Sequence, residues 1–287
     1  MPLSLQTTTQ LYRDMNKLKT IIPLAGIAAM ALTAESCVSS GSGENIEFTT
    51  RADSVAYLVP DYFGDTCYVA SRYSVVWPEK IGKQDFDAMK DSLISMTFKT
   101  YGNTSDFDVA AKQFQLRGFE SMGLDSTIAS YGKAPYASAM TAHHITSSDV
   151  ESTVSLLTPD VLVIDIFSYG YVDRSAHGMQ TRRFLNYSIK EHTLLTADKM
   201  FKPESADSIS TLIAATAAKK YPEGTLFSDA KFPLTNFKIT EQEIVFIYQP
   251  YDVGPYAAGI IEIPISQHTL QPYMTPTAIS TLGLESR

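Results

Sequence analysis

Few residues in this chain combine a reactive side chain with a telling neighbourhood. Two cysteines, five histidines and 31 acidic residues are spread over 287 positions. A thiol just after an apolar run is a candidate for acylation. A carboxylate inside an apolar strand is a candidate for proton transfer, and a histidine among small loop residues for proton transfer or ligand contact. Cys37 after LAGIAAMALTAES, Asp165 in VLVIDIF and His177 in YGYVDRSAHG fit these three descriptions in turn.

Each has a plainer account. A buried Asp165 either has a raised pKa or finds a donor, and acid/base work on a sugar requires a second carboxylate at a defined separation. The spacing designates no such partner, so Asp165 is expected to be structural and hydrogen-bonded. His143 and His144 are adjacent in an expected strand and point to opposite faces, while His177, His192 and His268 are scattered, so neither a metal centre nor a cofactor is expected. The sequence has no GxSxG elbow, Walker loop, GxGxxG after a strand or HExxH. The expectation is a noncatalytic protein. The alternative is an enzyme using Asp165 and His177.

A second segment, QPYDVGPYAAGIIEIPI from Gln249 to Ile265, has the composition of a rigid corner. Pro250 and Pro255 cannot donate to a ladder, Gly254 permits positive φ, and Ala257, Ala258 and Gly259 allow close backbone approach. Tyr251 and Tyr256 flank it. It reads either as a packed turn or as an aromatic ledge for a partner, and Tyr251, Tyr256, His177 and Tyr169 are the candidate ligand-binding residues.

These residues must be carried to their place and positioned by a fold. From Met15, the segment MNKLKTIIPLAGIAAMALTAESC has a basic start, a 14-residue apolar stretch from Ile21 to Ala34, and small residues before Cys37. That is the pattern of a secretory signal, and Met15 is the expected start. The stretch falls short of the roughly 18 to 20 residues a membrane-crossing helix requires. Cys37 resembles a bacterial lipoprotein cleavage site, with VSSGSGEN behind it as a flexible tether. Residues 1–36 are therefore expected to be signal, 37–45 tether, 46–192 an N-terminal α+β part and 193–287 a C-terminal part with a helix and a meander. Removing residues 1–36 lowers 23 basic and 31 acidic residues to 20 and 29, a net charge of −9. With no basic cluster, nucleic acid is not an expected partner. Cys67 lies in an alternating segment and reads as a small buried hydrophobe.

The fold class is α+β, with helices packed on largely antiparallel sheet. Alternation predicts strands at 46–50, 54–59, 67–77, 136–146, 153–157, 161–171 and 180–190. Val161 to Phe167 is apolar on both faces apart from Asp165, which marks a central strand. Helical spacing predicts helices over 85–98 with Phe86, Met89, Leu93 and Met96 inward, over 106–122 capped by Ser105, and over 206–220 capped by Ser205. Three further strands, 234–240, 243–249 and 258–265, form a meander that either extends the first sheet or builds a second.

The order of motifs SAHG with His177, FLNYSI with Asn186, DKMF with Asp198 and Phe201, and PYAAG from Pro255 to Gly259 resembles the RsiV-like extracytoplasmic domain. This is a domain of unknown function shared by the anti-sigma-V factor RsiV and some peptidoglycan deacetylases. The resemblance covers residues 160–270. It implies a noncatalytic envelope domain that binds a protein such as lysozyme, or peptidoglycan, and it transfers no anti-sigma role. With the signal and Cys37 it implies a periplasmic or surface-exposed lipoprotein, membrane-anchored through lipid. With the resemblance in view, the alternatives are a cell-wall hydrolase or deacetylase using Asp165 and His177, and a subunit of a larger envelope assembly, recognisable by an exposed strand edge or apolar patch.

Overall fold

A computed structural model describes residues 36–39, 45–60, 64–81, 86–99, 104–120, 142 and 144–285. Apart from Ser36, the expected signal lies outside them, as do His143 and most of the strand expected at 136–146. The compact unit Thr33–Arg287 is built on a seven-stranded sheet whose strands lie side by side in chain order and a separate three-stranded sheet, so the fold is α+β. Among the described residues no helix is long and apolar enough to cross a membrane.

Strand β1 (Ser36–Ser39) pairs antiparallel with the start of β2 (Asn45–Pro60), so part of the segment expected as a tether is strand, while 40–44 lie outside the described residues. β2 and β3 (Thr66–Ile81) form a long antiparallel pair. The two strands expected at 46–50 and 54–59 are one because Arg51 does not interrupt the apolar face. Its guanidinium lies 4.7 Å from the Trp77 ring centroid and 4.8 Å from that of Phe107, covering the aromatic cluster with its charged end.

Helices α1 (Asp87–Phe98) and α2 (Phe107–Glu120) then carry the chain back across one sheet face. β4 (His144–Leu157) consequently lies parallel to β3, from Cys67 opposite His144 to Ser74 opposite Glu151. A parallel neighbour requires such a long crossover, which is why this pair departs from the antiparallel rule that β4, β5 (Val161–Tyr171) and β6 (Met179–Ser188) follow. The strands expected at 136–146 and 153–157 are a single element in β4. The short β7 (Thr193–Leu194) pairs with β6, so the boundary expected at 192/193 falls within one sheet.

The helix starts differ from expectation. α2 is capped by Asp106, whose carboxylate accepts from the N–H groups of Asp108 and Val109 at 2.9 and 3.1 Å, rather than by Ser105. Ser205 makes no side-chain cap. It ends a 3-10 turn (Pro203–Ser205) that leads into the third long helix. At its other end α1 stops on Lys99 at φ 48°, and Arg117 donates to the carbonyls of Phe98 and Lys99. Burial, with Arg183 and Arg117 nearby, lowers the Lys99 pKa.

Both sheet faces are covered. Leu162, Ile164 and Ile166 of β5 join Met89, Leu93, Phe98, Phe107 and Phe114 in a core beneath α1 and α2. Val161 and Val163 point the other way, into a second core with the C-terminal elements. These are the short helix α3 (Ala197–Met200), α4 (Ala206–Lys220), the meander β8 (Phe237–Ile239), β9 (Glu243–Tyr248) and β10 (Ile261–Ser266), and the short helices α5 (Gln267–Leu270) and α6 (Pro276–Thr281). α4 buries Ile209, Ile213 and Ala217, a spacing of four that keeps one face toward the sheet. The meander builds its own sheet with β9 in the centre.

The outer edges of that sheet are occupied. On β10, the Glu262 N–H donates to the Tyr221 hydroxyl and the Glu262 carbonyl accepts from Tyr221 and Lys220. Pro264, two residues on, presents no N–H at the same edge. On β8, the Asn186 side chain takes the edge positions described below.

Candidate functional site

The four candidate ligand residues come together where β5 and β6 meet the corner after β9. Tyr169 and Gln180 are opposite one another and point to the same face as Gly178, two residues before Gln180. Tyr169 lies across Gly178: a Cβ there would stand 2.2 Å from the Tyr169 hydroxyl. His177 then stacks on Tyr256 with ring centroids 3.6 Å apart and planes 16° from parallel. Its Nδ1 is 3.0 Å from the Gly178 carbonyl, and its Nε2 is 3.0 Å from the Tyr251 hydroxyl. A carbonyl only accepts, so Nδ1 carries the proton, and in the neutral ring Nε2 accepts from Tyr251. Neither nitrogen is directed at a carboxylate.

Tyr251 is the exposed member of this group, with 50% of its surface accessible. Its backbone has φ 75°, a region that costs a non-glycine residue of order 1 kcal/mol or more. The turn holds it there. The Tyr251 N–H donates to the Gly254 carbonyl, the Asp252 N–H to the Gln249 carbonyl, and the Gln249 N–H to the Asp252 carboxylate. Gly254 itself is needed for space, since a Cβ would lie 2.8 Å from the Thr225 carbonyl oxygen. The corner is thus both a packed turn and an aromatic ledge. Tyr256 and His177 are its half-buried base and Tyr251 its exposed rim.

Asp165 belongs to a different arrangement. It is 8% accessible and accepts from Arg182, whose Nε lies 3.1 and 3.0 Å from its two oxygens, with a further bond from a terminal nitrogen. The other terminal nitrogen of Arg182 reaches Glu262 of β10 at 3.0 Å. One guanidinium therefore ties the two sheets together, and its bonds to Asp165 hold its own pKa above the usual arginine value. Side-chain amides reinforce the junction by imitating strand backbone. Gln249 accepts from the Arg182 N–H at 2.8 Å and donates to its carbonyl at 2.7 Å. Asn186 donates to the Phe237 carbonyl at 2.8 Å and accepts from the Ile239 N–H at 3.1 Å. Arg182, Glu262 and Gln249 were not singled out by the sequence. The available signal was the adjacent pair Arg182–Arg183 inside a strand, which must send one cation to each face.

The remaining reactive groups do not converge on the ledge. His144 stands 3.0 Å from Asp173 and 3.6 Å from Asp65, and Arg174 bonds Asp173 at 3.3 Å, which makes a polar cluster around a turn. Among the described residues no group of three or more metal-ligating side chains is placed to hold an ion. Cys67 is buried in a small cluster with Val59 and Val69. Asp198 is exposed and accepts from the Thr196 hydroxyl, which lowers its pKa, while Phe201 packs in the second core.

Comparison with known proteins gives a domain and a fold. Residues 198–268 match the family described as Protein of unknown function (DUF3298). A crystal structure of a DUF3298 family member from Bacteroides fragilis is similar over 84% of this chain and 98% of that one, at 20% identity and a TM-score of 0.63. A DUF3298 family protein from Pseudomonas aeruginosa matches over 80% of this chain and 96% of that one, at 18% identity and a TM-score of 0.48. The first likeness shows the fold. No curated protein matches the chain.

Proposed function

We propose that this chain is an exported, lipid-anchored envelope protein whose α+β domain binds a ligand without performing chemistry on it. The ligand is a lysozyme-like protein or a peptidoglycan fragment, and the contact is the ledge of Tyr251, Tyr256 and His177. The observation that carries the reading is Tyr251, a large ring held half exposed at a strained backbone angle on a stacked base. The turn's backbone bonds and the His177 hydrogen bond hold Tyr251 at this strained angle while half of its surface stays open, and a ring so fixed lowers the ordering cost of binding. His177 supports a noncatalytic role because the Gly178 carbonyl and the Tyr251 hydroxyl already occupy both nitrogens. The motif order shared with RsiV-like domains supports the ligand class, and the signal-like segment before Cys37 supports the location.

Calorimetric titration of the chain with lysozyme and with peptidoglycan fragments tests the reading, with Tyr251→Ala and Tyr256→Ala alongside. Binding of one ligand that weakens in both variants is the expected result, and silence with both ligands would sink it. Lipid anchoring is tested separately by fatty-acid labelling, which Cys37→Ser should abolish.

A further inference from the structure

A groove of about 820 Å³ runs beside β6, some way from the ledge. Its walls come from α1 with Asp91, Ser92 and Ser95, and from the segment around Thr196 and Asp198. Phe184, Leu185 and Asn186 of β6 form its floor. From His177 to Phe184 the chain climbs roughly 20 Å, so the two places are separate.

The backbone of the floor is what makes the groove informative. Along a strand, the N–H and C=O of alternate residues point to opposite edges. Arg182 presents both groups to the outer edge, where Gln249 meets them, and the Asn186 carbonyl also faces outward, where it accepts from the Leu195 N–H. Phe184 lies midway between and must face outward too. Among the described residues, nothing bonds its N–H or C=O on that side, nor the N–H of Asn186. Yet Phe184 is only 6% accessible, and a sheltered backbone pair without partners is uncommon enough to require an explanation. The gap has a defined size. It lies between an amide side chain that imitates a strand at Arg182 and a true strand, β7, at Ser188.

The rim supplies the second half of the argument. Two carboxylates, Asp91 and Asp198, border the groove together with several hydroxyls, and among the described residues no Lys, Arg or His lines it; Lys238 and Arg182 approach the Phe184 ring, at 5.7 and 5.4 Å from its centroid, and Arg182 is already paired with Asp165 and Glu262. The Asp198 carboxyl is held below its ordinary pKa by Thr196, so it is anionic at neutral pH. We infer that this groove binds a short extended peptide carrying a basic side chain, which pairs with Phe184 and Asn186 as an added strand segment and sets its cation against Asp91 and Asp198. This site is independent of the ledge. A partner protein could use both, but neither requires the other.

The probe is the capped peptide acetyl-Val-Lys-Val-Lys-Val-amide, added to the full chain and followed by amide hydrogen exchange and chemical shift. The Phe184 and Asn186 N–H groups are expected to exchange faster than Leu185 in the unliganded protein and to slow about tenfold or more with the peptide. Asp91→Asn combined with Asp198→Asn should weaken binding about threefold or more, and a peptide with Glu in place of Lys should not bind. Tyr251→Ala should leave this binding unchanged, which keeps the result separate from the ledge. The inference is overturned by any of three outcomes. These are a Phe184 amide already as protected as Leu185 without peptide, no slowing at millimolar peptide, or equal protection by an N-acetylglucosamine oligomer.

Discussion

Between Arg182 and Asn186, β6 joins the second sheet through hydrogen-bonded side chains, buried at Asp165 and Asn186 and partly open at Arg182 and Glu262; just before it, at His177 and Gly178, the chain meets a corner whose most prominent ring is exposed and strained. The junction uses Asp165, Arg182, Glu262, Gln249 and Asn186 to close distances between sheets, and losing a partner of Asp165 or Asn186 leaves a buried polar group unpaired. The ledge uses His177, Tyr251 and Tyr256 to hold a surface in place, and losing its outer ring exposes little. The contrast separates residues that keep the molecule folded from residues that are kept at the expense of folding. It also explains why a carboxylate in an apolar strand was the weaker functional candidate. Asp165 is where it is because Arg182 must be anchored before it can reach Glu262.

Variants can break this division, starting with the largest effect. Asn186→Leu leaves the Phe237 carbonyl and the Ile239 N–H unpaired in a core and should cost about 3 kcal/mol in urea unfolding, with ledge binding intact in the fraction that folds. A cost below about 1 kcal/mol would mean that the junction is not load-sharing as described. Gly178→Ala pushes a methyl into Tyr169 and should cost about 2 kcal/mol while also weakening ledge binding, because the Gly178 carbonyl that it displaces holds His177 Nδ1.

Tyr251 gives the sharpest version. Tyr251→Gly should be more stable than Tyr251→Ala by about 1 kcal/mol in thermal unfolding, since only glycine is relaxed at φ 75°, while both lose ledge binding equally. Equal stability of the two would remove the strain argument. The smallest effect is at Thr196. Its hydroxyl depresses the Asp198 pKa, so its contribution is present above the unfolded carboxylate pKa and is lost as pH falls through the lowered folded one. Thr196→Val should therefore flatten the stability profile slightly on the acid side of the ordinary carboxylate range and leave the junction untouched.

Much of this was legible in the sequence where the signal is local. The spacing of Phe86, Met89 and Leu93 predicted α1 and its buried face, and helical spacing predicted α2 and α4. The two-sided apolar run of β5 predicted a strand with a core on each side. The corner residues predicted a rigid turn, and the structure places the rings of His177, Tyr251 and Tyr256 side by side there. What escaped was set by partners distant in sequence. The parallel β3–β4 pair depends on where two helices deliver the chain. Arg182 carries no local sign of its two carboxylates, and the amides of Asn186 and Gln249 look like ordinary polar residues until the backbone they complete is beside them. The cap on α2 was missed by one residue because Ser105 and Asp106 are both good caps, and only geometry chooses between them.

The closed borders of the three-stranded sheet have a consequence for how this molecule meets others. Tyr221, Lys220 and Pro264 seal one side and Asn186 the other, so that sheet can neither exchange a strand with a neighbouring copy nor seed a stack of them. A protein so sealed can be concentrated or crowded against its own kind without this sheet becoming a template.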